Sequence, residues 1–162
     1  MTLNIASIQM VSTPDLNENL DTASRLVKEA AHVGAQVIAL PEYFCMMGMK
    51  DTDKVKVRES YGSGPIQERL ASLAKDNQIY LVAGTIPLEA KATGKVLNTT
   101  LAFNPSGKEI ARYDKIHLFG FQTKTERYQE SETIEAGNTP GILKISHNQQ
   151  DWTFGQIGRA HV

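Results

Sequence analysis

The sequence predicts an α/β domain in which helices pack on a sheet. Short, continuously apolar runs, typical of strands covered on both faces, alternate with two helix-like stretches. Two later strand-like segments flank a turn that contains proline and glycine. The resulting order is βαβ, αβ, β-hairpin, loop and β. At 162 residues and 41% hydrophobic composition, the chain suits one domain with a substantial core.

The first predicted elements are a strand and an amphipathic helix. The strand covers Leu3 to Met10, and Pro14 closes off its pairing. The helix begins at Asp15, which with Glu18 forms a capping-box pattern, and Gly34 provides the C-terminal stop. Its apolar residues recur at helical spacing: Leu16, Leu20, Ala23, Val27 and Ala30. This single apolar stripe must pack on another element.

Two further apolar runs predict buried strands on either side of a second helix. The runs are Val37 to Leu40 and Ile79 to Ala83, and Gly84 is expected to end the later one. Residues 51–61 between them are polar and irregular, and Pro65 suits the first position of the helix. Ile66, Leu70, Leu73 and Asn77 lie on one face of that helix.

A β-hairpin and a long loop follow. The hairpin strands are Leu97 to Phe103 and Glu109 to Lys115, joined by Asn104-Pro105-Ser106-Gly107. Leu118 to Pro140 is charged and lacks periodicity, which predicts a long loop, and loops of that length in compact domains are usually functional. Strand character returns at Ile142 to Ile145 and at Trp152 to Phe154.

The charge balance and the cysteine content limit the classes of function. Seventeen basic and eighteen acidic residues give a net charge of -1, which provides no electrostatic footprint for nucleic acid or an anionic membrane. We therefore expect a small-molecule partner. The single Cys45 cannot form an internal disulfide, and the first ten residues do not resemble a signal peptide, so we expect a cytoplasmic location. The four histidines lack metal-ligand spacing, and no cofactor is expected.

Two motifs each offer one ionisable side chain in apolar surroundings. Glu42 lies in Leu40-Pro41-Glu42-Tyr43-Phe44, at the strand end where α/β sheets form ligand crevices. Lys115 lies in Tyr113-Asp114-Lys115-Ile116-His117-Leu118-Phe119, after the hairpin. Structural alternatives exist for both: Glu42 could cap a short helical turn, and Lys115 could be a solvated edge lysine. Each motif is weak by itself, and their joint occurrence in this order favours function.

Together the motifs resemble the nitrilase superfamily of carbon-nitrogen hydrolases, over Leu3 to about Gln156. The resemblance implies a four-layer αββα sandwich, here truncated, with no cofactor and with assembly into dimers or larger homo-oligomers. It assigns Glu42 as general base and Lys115 as the stabiliser of an oxyanion. A further glutamate is expected after the lysine, for which Glu130 in Gln129-Glu130-Ser131 is the candidate and Glu126 competes. Either could instead be a solvated loop carboxylate.

The cysteine nucleophile of the family has no counterpart in the sequence. Trp152 to Ile157 looks like the strand that precedes it, and the cysteine would fall near Arg159. Cys45 follows Glu42 too closely, and its bulky apolar neighbours predict a buried, inert thiol. The last six residues, 157–162, match one reading frame of a sequencing adapter. We therefore expect residues 1–156 to be the N-terminal part of a hydrolase domain and 157–162 to be a non-native tail, the alternative being an authentic divergent C-terminus.

The resemblance also implies a reaction. The parent protein is expected to hydrolyse a small carboxylate-bearing amide to acid and ammonia through a cysteine acyl-enzyme. The Lys115 to Phe119 stretch and the Gln129-Glu130-Ser131 segment look most like the branch that contains ω-amidases and deaminated-glutathione amidases. The 162-residue chain lacks the nucleophile and is expected to be inactive. The alternative is a non-catalytic binding or scaffold module on the same fold.

Overall fold

Helices and strands alternate along the chain as predicted, which confirms the α/β class. The computed structural model describes residues 2–156, so the predicted tail at 157–162 and the position of Arg159 lie outside the described residues. The helices are α1 (Leu16–His32), α2 (Asp53–Lys56) and α3 (Pro65–Asp76). The strands are β1 (Ile5–Ser7), β2 (Val37–Ala39), β3 (Tyr80–Glu89), β4 (Val96–Phe103), β5 (Glu109–Asp114), β6 (Gly120–Gln122), β7 (Arg127–Gln129), β8 (Ile134–Glu135), β9 (Gly141–His147) and β10 (Gln150–Gln156). None of the helices within residues 2–156 has the length and apolar character needed to cross a membrane.

The main sheet has the order β1-β2-β3-β4-β5. Its first three strands are parallel, and β3, β4 and β5 pair antiparallel. The short strand β8 pairs in parallel with the start of β4, where Val96 lies opposite Ile134. The carboxyl end of β2, the centre of β3 and the end of β5 therefore lie in one mixed sheet, which brings the two sequence motifs to the same region.

Helix α1 begins at the predicted residue, although its cap differs in detail. The Asp15 carboxylate accepts hydrogen bonds from the backbone N–H groups of Asn17 and Glu18, at 2.9 and 3.0 Å. The Glu18 side chain, however, accepts from the hydroxyl of Thr13, and that hydroxyl accepts from the Asp15 N–H. The Thr13 hydroxyl thus accepts from the Asp15 N–H, the bond that a capping box assigns to Glu18. Asp15 still caps the backbone N–H groups at the start of the helix.

The main hydrophobic core lies between the helices and one face of the sheet. Among its fully buried members are residues of α1 and α3 and of strands β2, β3 and β4: Val27, Ile66, Leu70, Ile38, Leu81 and Leu101. Burying one such side chain contributes about 1.5–3 kcal/mol to the free energy of unfolding. This core fixes the position of the sheet relative to the helices.

The opposite face of the sheet is covered by the β9–β10 hairpin. A smaller second cluster forms there from Val37, Ala102, Leu143 and Ile145. The hairpin is also tied to the sheet by hydrogen bonds, since the Tyr80 hydroxyl donates to the carbonyl of Ser146 at 2.8 Å. Helices, sheet and hairpin form successive layers, in agreement with the sandwich class that was predicted.

The prediction that Gly84 ends β3 is wrong. The strand continues to Glu89, and its pairing with β4 shifts register between Ala83 and Ile86, which marks a β-bulge. A Cβ atom at Gly84 would lie 1.9 Å from the carbonyl oxygen of Pro41. The glycine therefore permits a close approach between two backbone segments inside the strand.

Two segments contain more regular structure than the sequence indicates. Residues 51–61, predicted to be irregular, include the one-turn helix α2. The predicted loop from Leu118 to Pro140 contains the β6–β7 hairpin, a 3-10 turn at Glu130–Glu132 and β8. These elements span only two to four residues each, too few to show a clear hydrophobic period, which explains why the pattern did not reveal them.

Candidate active site

The bulge in β3 sets the position of the segment that carries Glu42. This segment leaves β2 and forms a turn rather than a helix, so the alternative of a helix-capping carboxylate is wrong. Tyr43 has a φ of 55°, in the left-handed region that costs a non-glycine residue about 1–3 kcal/mol. Its N–H donates to the hydroxyl of Thr85 at 2.8 Å, while Gly84 leaves room for Pro41. The two bulge residues therefore hold the strained backbone beside Glu42.

Lys115 follows directly after β5 and is held by the sheet. Its backbone N–H donates to the carbonyl of Asn98 at 2.9 Å. Its side-chain ammonium lies 2.8 Å from Oε1 of Glu42 and 2.9 Å from Oε2 of Glu130. The side chain is only 11% exposed, which contradicts the alternative of a solvated edge lysine. The structure thus brings Glu42, Lys115 and Glu130 into direct contact.

Glu130, rather than Glu126, reaches the lysine. The Glu130 side chain is 5% exposed, and both of its oxygens contact the Lys115 ammonium. Its Oε1 also accepts from the hydroxyl of Tyr43 at 3.1 Å, and its Oε2 accepts from the N–H of Phe119 at 2.6 Å. Glu126 lies in the exposed turn between β6 and β7. Of the two candidates, Glu130 has the contacts that the role of an auxiliary carboxylate requires.

The two carboxylates around Lys115 have different environments. Glu130 is buried and receives donors on both oxygens. Glu42 is 48% exposed in its side chain, and both of its hydrogen bonds within residues 2–156 fall on Oε1, from Lys115 and from the side-chain amide of Asn98 at 2.8 Å. Two carboxylates in such different surroundings usually take different roles in a reaction. Glu42 is suited to accept a proton on Oε2, and Glu130 is suited to hold the lysine.

The ammonium of Lys115 remains charged. Burial disfavours its charged form and is the largest single influence on its pKa, but the hydrogen bonds and negative charges of Glu42 and Glu130 together outweigh burial. The pKa of Lys115 is therefore raised above its ordinary value. Burial and then the charge of Glu130 raise the pKa of the Tyr43 hydroxyl, which keeps its proton and donates.

These side chains line a cavity of about 720 Å³, within the range of small-molecule sites. Glu42, Tyr43, Lys115 and Glu130 all lie on its wall. The remaining wall is mostly apolar with a few hydroxyl and amide groups: Leu40, Met47, Val82, Tyr113, Phe119, Tyr128, Thr85, Thr100 and Gln156. A mostly apolar wall around a fixed cation strengthens the electrostatic interaction of that cation with a substrate oxygen.

Cys45 does not belong to this wall. Its side chain is 1% exposed, and its Sγ lies 3.8 Å from the carbonyl oxygen of Thr85, in the main core. Burial raises the pKa of the Cys45 thiol to about 12, so the thiolate is disfavoured at neutral pH. The expected inert thiol therefore agrees with the environment that the structure gives to Cys45.

Sequence reasoning missed two polar residues that contact the motifs, Asn98 and Thr85. Asn98 is 1% exposed, and its side-chain amide donates to Glu42. The available signal was the run Asn98-Thr99-Thr100 within an otherwise apolar strand, since buried polar residues need partners.

Within residues 2–156, no group of three His, Cys, Asp or Glu side chains is placed to hold a metal ion.

Comparison with known proteins identifies the family. The sequence matches the carbon-nitrogen hydrolase family over residues 4–160. It is 38% identical to an omega-amidase of Xenopus tropicalis over 88% of this chain and 51% of the relative. It is 36% identical to a deaminated glutathione amidase of Synechocystis over 94% of this chain and 54% of the relative. The chain thus spans about half the length of these curated relatives.

The fold agrees with this assignment. A nitrilase-superfamily protein of Saccharomyces cerevisiae, known from its crystal structure, superposes with a TM-score of 0.68 at 29% identity, over 86% of this chain and 49% of that chain. An amidase from Nesterenkonia superposes with a TM-score of 0.74 and shares the fold at 23% identity. Because the family match covers nearly every residue, the chain belongs to the carbon-nitrogen hydrolase family.

Proposed function

We propose that the full-length protein, of which these residues form the N-terminal part, hydrolyses a small carboxylate-bearing amide to an acid and ammonia. The observation that carries the proposal is the contact of Glu42, Lys115 and Glu130 on the wall of one cavity. Nucleophilic attack on an amide carbonyl carbon is assisted by a base that accepts the proton of the nucleophile and by a fixed positive charge that stabilises the oxyanion. The amidase relatives support the same chemistry.

In the first step, the thiol of a cysteine outside this 162-residue sequence attacks the amide carbonyl carbon. Glu42 accepts the thiol proton on Oε2, the carbon–sulfur bond forms, and the carbonyl oxygen becomes an oxyanion. Lys115 lies beside this position and stabilises the developing charge, as fixed cations in water-poor sites do. The carbon–nitrogen bond then breaks, and the proton on Glu42 passes to the departing ammonia.

The second step hydrolyses the thioester that remains. Glu42, again ionised, takes a proton from a water molecule, and the oxygen of that water attacks the thioester carbonyl carbon. Lys115 stabilises the second oxyanion. The carbon–sulfur bond breaks, the thiol regains its proton from Glu42, and the acid leaves. Glu130 does not exchange protons in this scheme, because donors already occupy both of its oxygens.

The sequence resemblance carries the finer features of the proposal. We place the substrate among small amides that bear a carboxylate, as the names of the omega-amidase and deaminated glutathione amidase relatives favour. A homo-oligomeric, cofactor-free cytoplasmic enzyme remains part of the proposal on the same basis. The rival proposal is a non-catalytic binding or scaffold module, which the lack of an accessible thiol in these 162 residues favours.

Ammonia release from small ω-amides such as glutaramate tests the function. The full-length protein should release ammonia, whereas the 162-residue chain should release none, because its only thiol is buried in the core. Trapping of a thioester on the full-length protein would identify the acyl-enzyme. Hydrolysis by the 162-residue chain would contradict the proposed nucleophile. A folded full-length protein that neither releases ammonia nor forms a thioester would establish the binding module.

Replacing Cys45 by alanine should leave catalysis intact. The thiol packs in the core and does not line the cavity, so Cys45→Ala in the full-length protein should reduce the free energy of unfolding by roughly 1–2 kcal/mol. The value of kcat should stay within about twofold of the unsubstituted protein. Steady-state kinetics and thermal unfolding measure both effects. Loss of activity with loss of the thioester would make Cys45 the nucleophile and overturn the assignment.

A further inference from the structure

Asn98 occupies an unusual position between the two catalytic motifs. It lies in the middle of β4, with a side chain and backbone only 1% exposed, opposite Pro87 of β3. Its side-chain Nδ2 donates to Oε1 of Glu42 at 2.8 Å. Its backbone oxygen accepts the N–H of Lys115 at 2.9 Å. One residue of the central sheet therefore contacts both the base and the backbone of the lysine.

The hydrogen bond from Asn98 has a specific electrostatic effect. Burying a polar amide costs free energy unless the amide finds a partner, and here the partner is a carboxylate, which makes the bond stronger than one between neutral groups. Lys115 donates to the same oxygen, so two donors fix the orientation of the carboxylate. Oε2 is left without a donor in residues 2–156.

We propose that Asn98 is a positioning residue for Glu42: together with Lys115, its amide holds the carboxylate through Oε1 and leaves Oε2 for proton transfer. The catalytic part of this inference rests on the proposed amide hydrolysis. Asn98 does not line the cavity, and it acts through Glu42 rather than by contact with the substrate. Glu130 and Tyr43 also lie beside Glu42 and Lys115. Glu130 accepts from Lys115, and the Tyr43 hydroxyl donates to Glu130 rather than to Oε2 of Glu42.

The chain offers a matched control on the same strand. Thr99 is 0% exposed, and its hydroxyl donates to Oδ1 of Asp114 at 2.6 Å. Thr99→Val, like Asn98→Leu, removes one buried donor from β4 at nearly constant side-chain size. Any loss of stability common to changes in this strand should appear in both variants. An effect on Glu42 should appear only when Asn98 is changed.

Kinetics of the full-length protein provide the first measurement. Asn98→Leu should lower kcat/KM on the order of 10- to 100-fold, because a hydrogen bond to a charged group is lost. The fall should lie in kcat with little change in KM. Thr99→Val should leave kcat and KM within about twofold of the unsubstituted protein. Asn98→Ala, which is smaller and cannot donate, serves if Asn98→Leu does not fold.

The 13C NMR signal of Glu42 separates this inference from the proposed function. The carboxyl carbon of Glu42 is observed at a fixed pH in the full-length protein, with its signal assigned through Glu42→Gln. Its chemical shift should change in Asn98→Leu or Asn98→Ala, because the carboxylate has lost a donor, and stay unchanged in Thr99→Val. An unchanged chemical shift in the Asn98 variants would overturn the inference, even if the protein hydrolyses amides. A changed chemical shift in a protein without amidase activity would reject the proposed function and leave the role of Asn98 standing.

Discussion

Glu42→Gln in the full-length protein is expected to lower kcat by roughly 100- to 10,000-fold, the range for loss of a general base. The amide oxygen of glutamine can still accept the hydrogen bonds of Lys115 and Asn98, so the fold should persist. It cannot take the thiol proton. Steady-state kinetics on a small ω-amide, with thermal unfolding as a check, measure the two effects. Glu126→Gln is the matched control, because this exposed carboxylate lies in the turn between β6 and β7.

The partner substitution, Lys115→Ala, should reduce turnover by roughly 100- to 1,000-fold or more, as the loss of an oxyanion stabiliser does. It also leaves the buried Glu130 without its cation, although the Tyr43 hydroxyl and the Phe119 N–H still donate to that carboxylate. Part of any loss could therefore come from lower stability, and activity is compared only at temperatures where the variant is folded. A near-normal rate from Glu42→Gln would reject the role of Glu42 as base, and a near-normal rate from Lys115→Ala would reject the role of Lys115 as oxyanion stabiliser.

Gly84→Ala is expected to have the largest effect on the structure. The added Cβ would lie 1.9 Å from the carbonyl oxygen of Pro41 and 2.7 Å from that of Leu40. Both are backbone atoms, so the bulge and the segment before Glu42 must separate. We expect the free energy of unfolding of the full-length protein to fall by roughly 3 kcal/mol or more. Any folded fraction should be inactive, because Glu42 moves relative to Lys115.

Gly155→Ala provides the control for this substitution. A Cβ atom at Gly155, in β10, meets nothing within 4 Å in the described part of the chain. Thermal unfolding of the two variants under the same conditions therefore separates the steric conflict at Gly84 from a general effect of replacing a strand glycine. Equal unfolding temperatures for both variants would show that the Pro41 segment can shift at little cost.

The sequence predicted the two main ionisable residues of the candidate site, Glu42 and Lys115, better than it predicted the residues that hold them in place. Glu42 and Lys115 each follow a strand in a recognisable motif, and the family resemblance assigned both to one site. Glu130 and Glu126 could not be separated by sequence, because both lie in the same charged segment. The difference arises at the 3-10 turn Glu130–Glu132, where Glu130 makes contacts distant in sequence, such as the hydrogen bond that it accepts from the Tyr43 hydroxyl.

The roles of Asn98, Thr85 and Gly84 were not accessible from local patterns. Each contacts a segment more than 40 residues away: Asn98 bonds Glu42, Thr85 bonds Tyr43, and Gly84 meets Pro41. Local propensity does not encode which strand lies beside which loop. The glycine was interpreted as a strand end because glycine is unfavourable inside strands, whereas here tertiary packing requires it.

The division of the core into two clusters has a consequence for motions of the native state. Glu42, Lys115 and Glu130 are tied to one another by ion pairs, and Asn98 of β4 ties Glu42 and Lys115 to the sheet. Part of the cavity wall instead involves Gln156 of the β9–β10 hairpin, whose packing relies on the smaller cluster. Because regions with less buried apolar surface open at lower free energy, amide protons of this hairpin should exchange with solvent before those of β3 and β4. Transient detachment of the hairpin would then admit solvent to the cavity while the three charged groups keep their geometry.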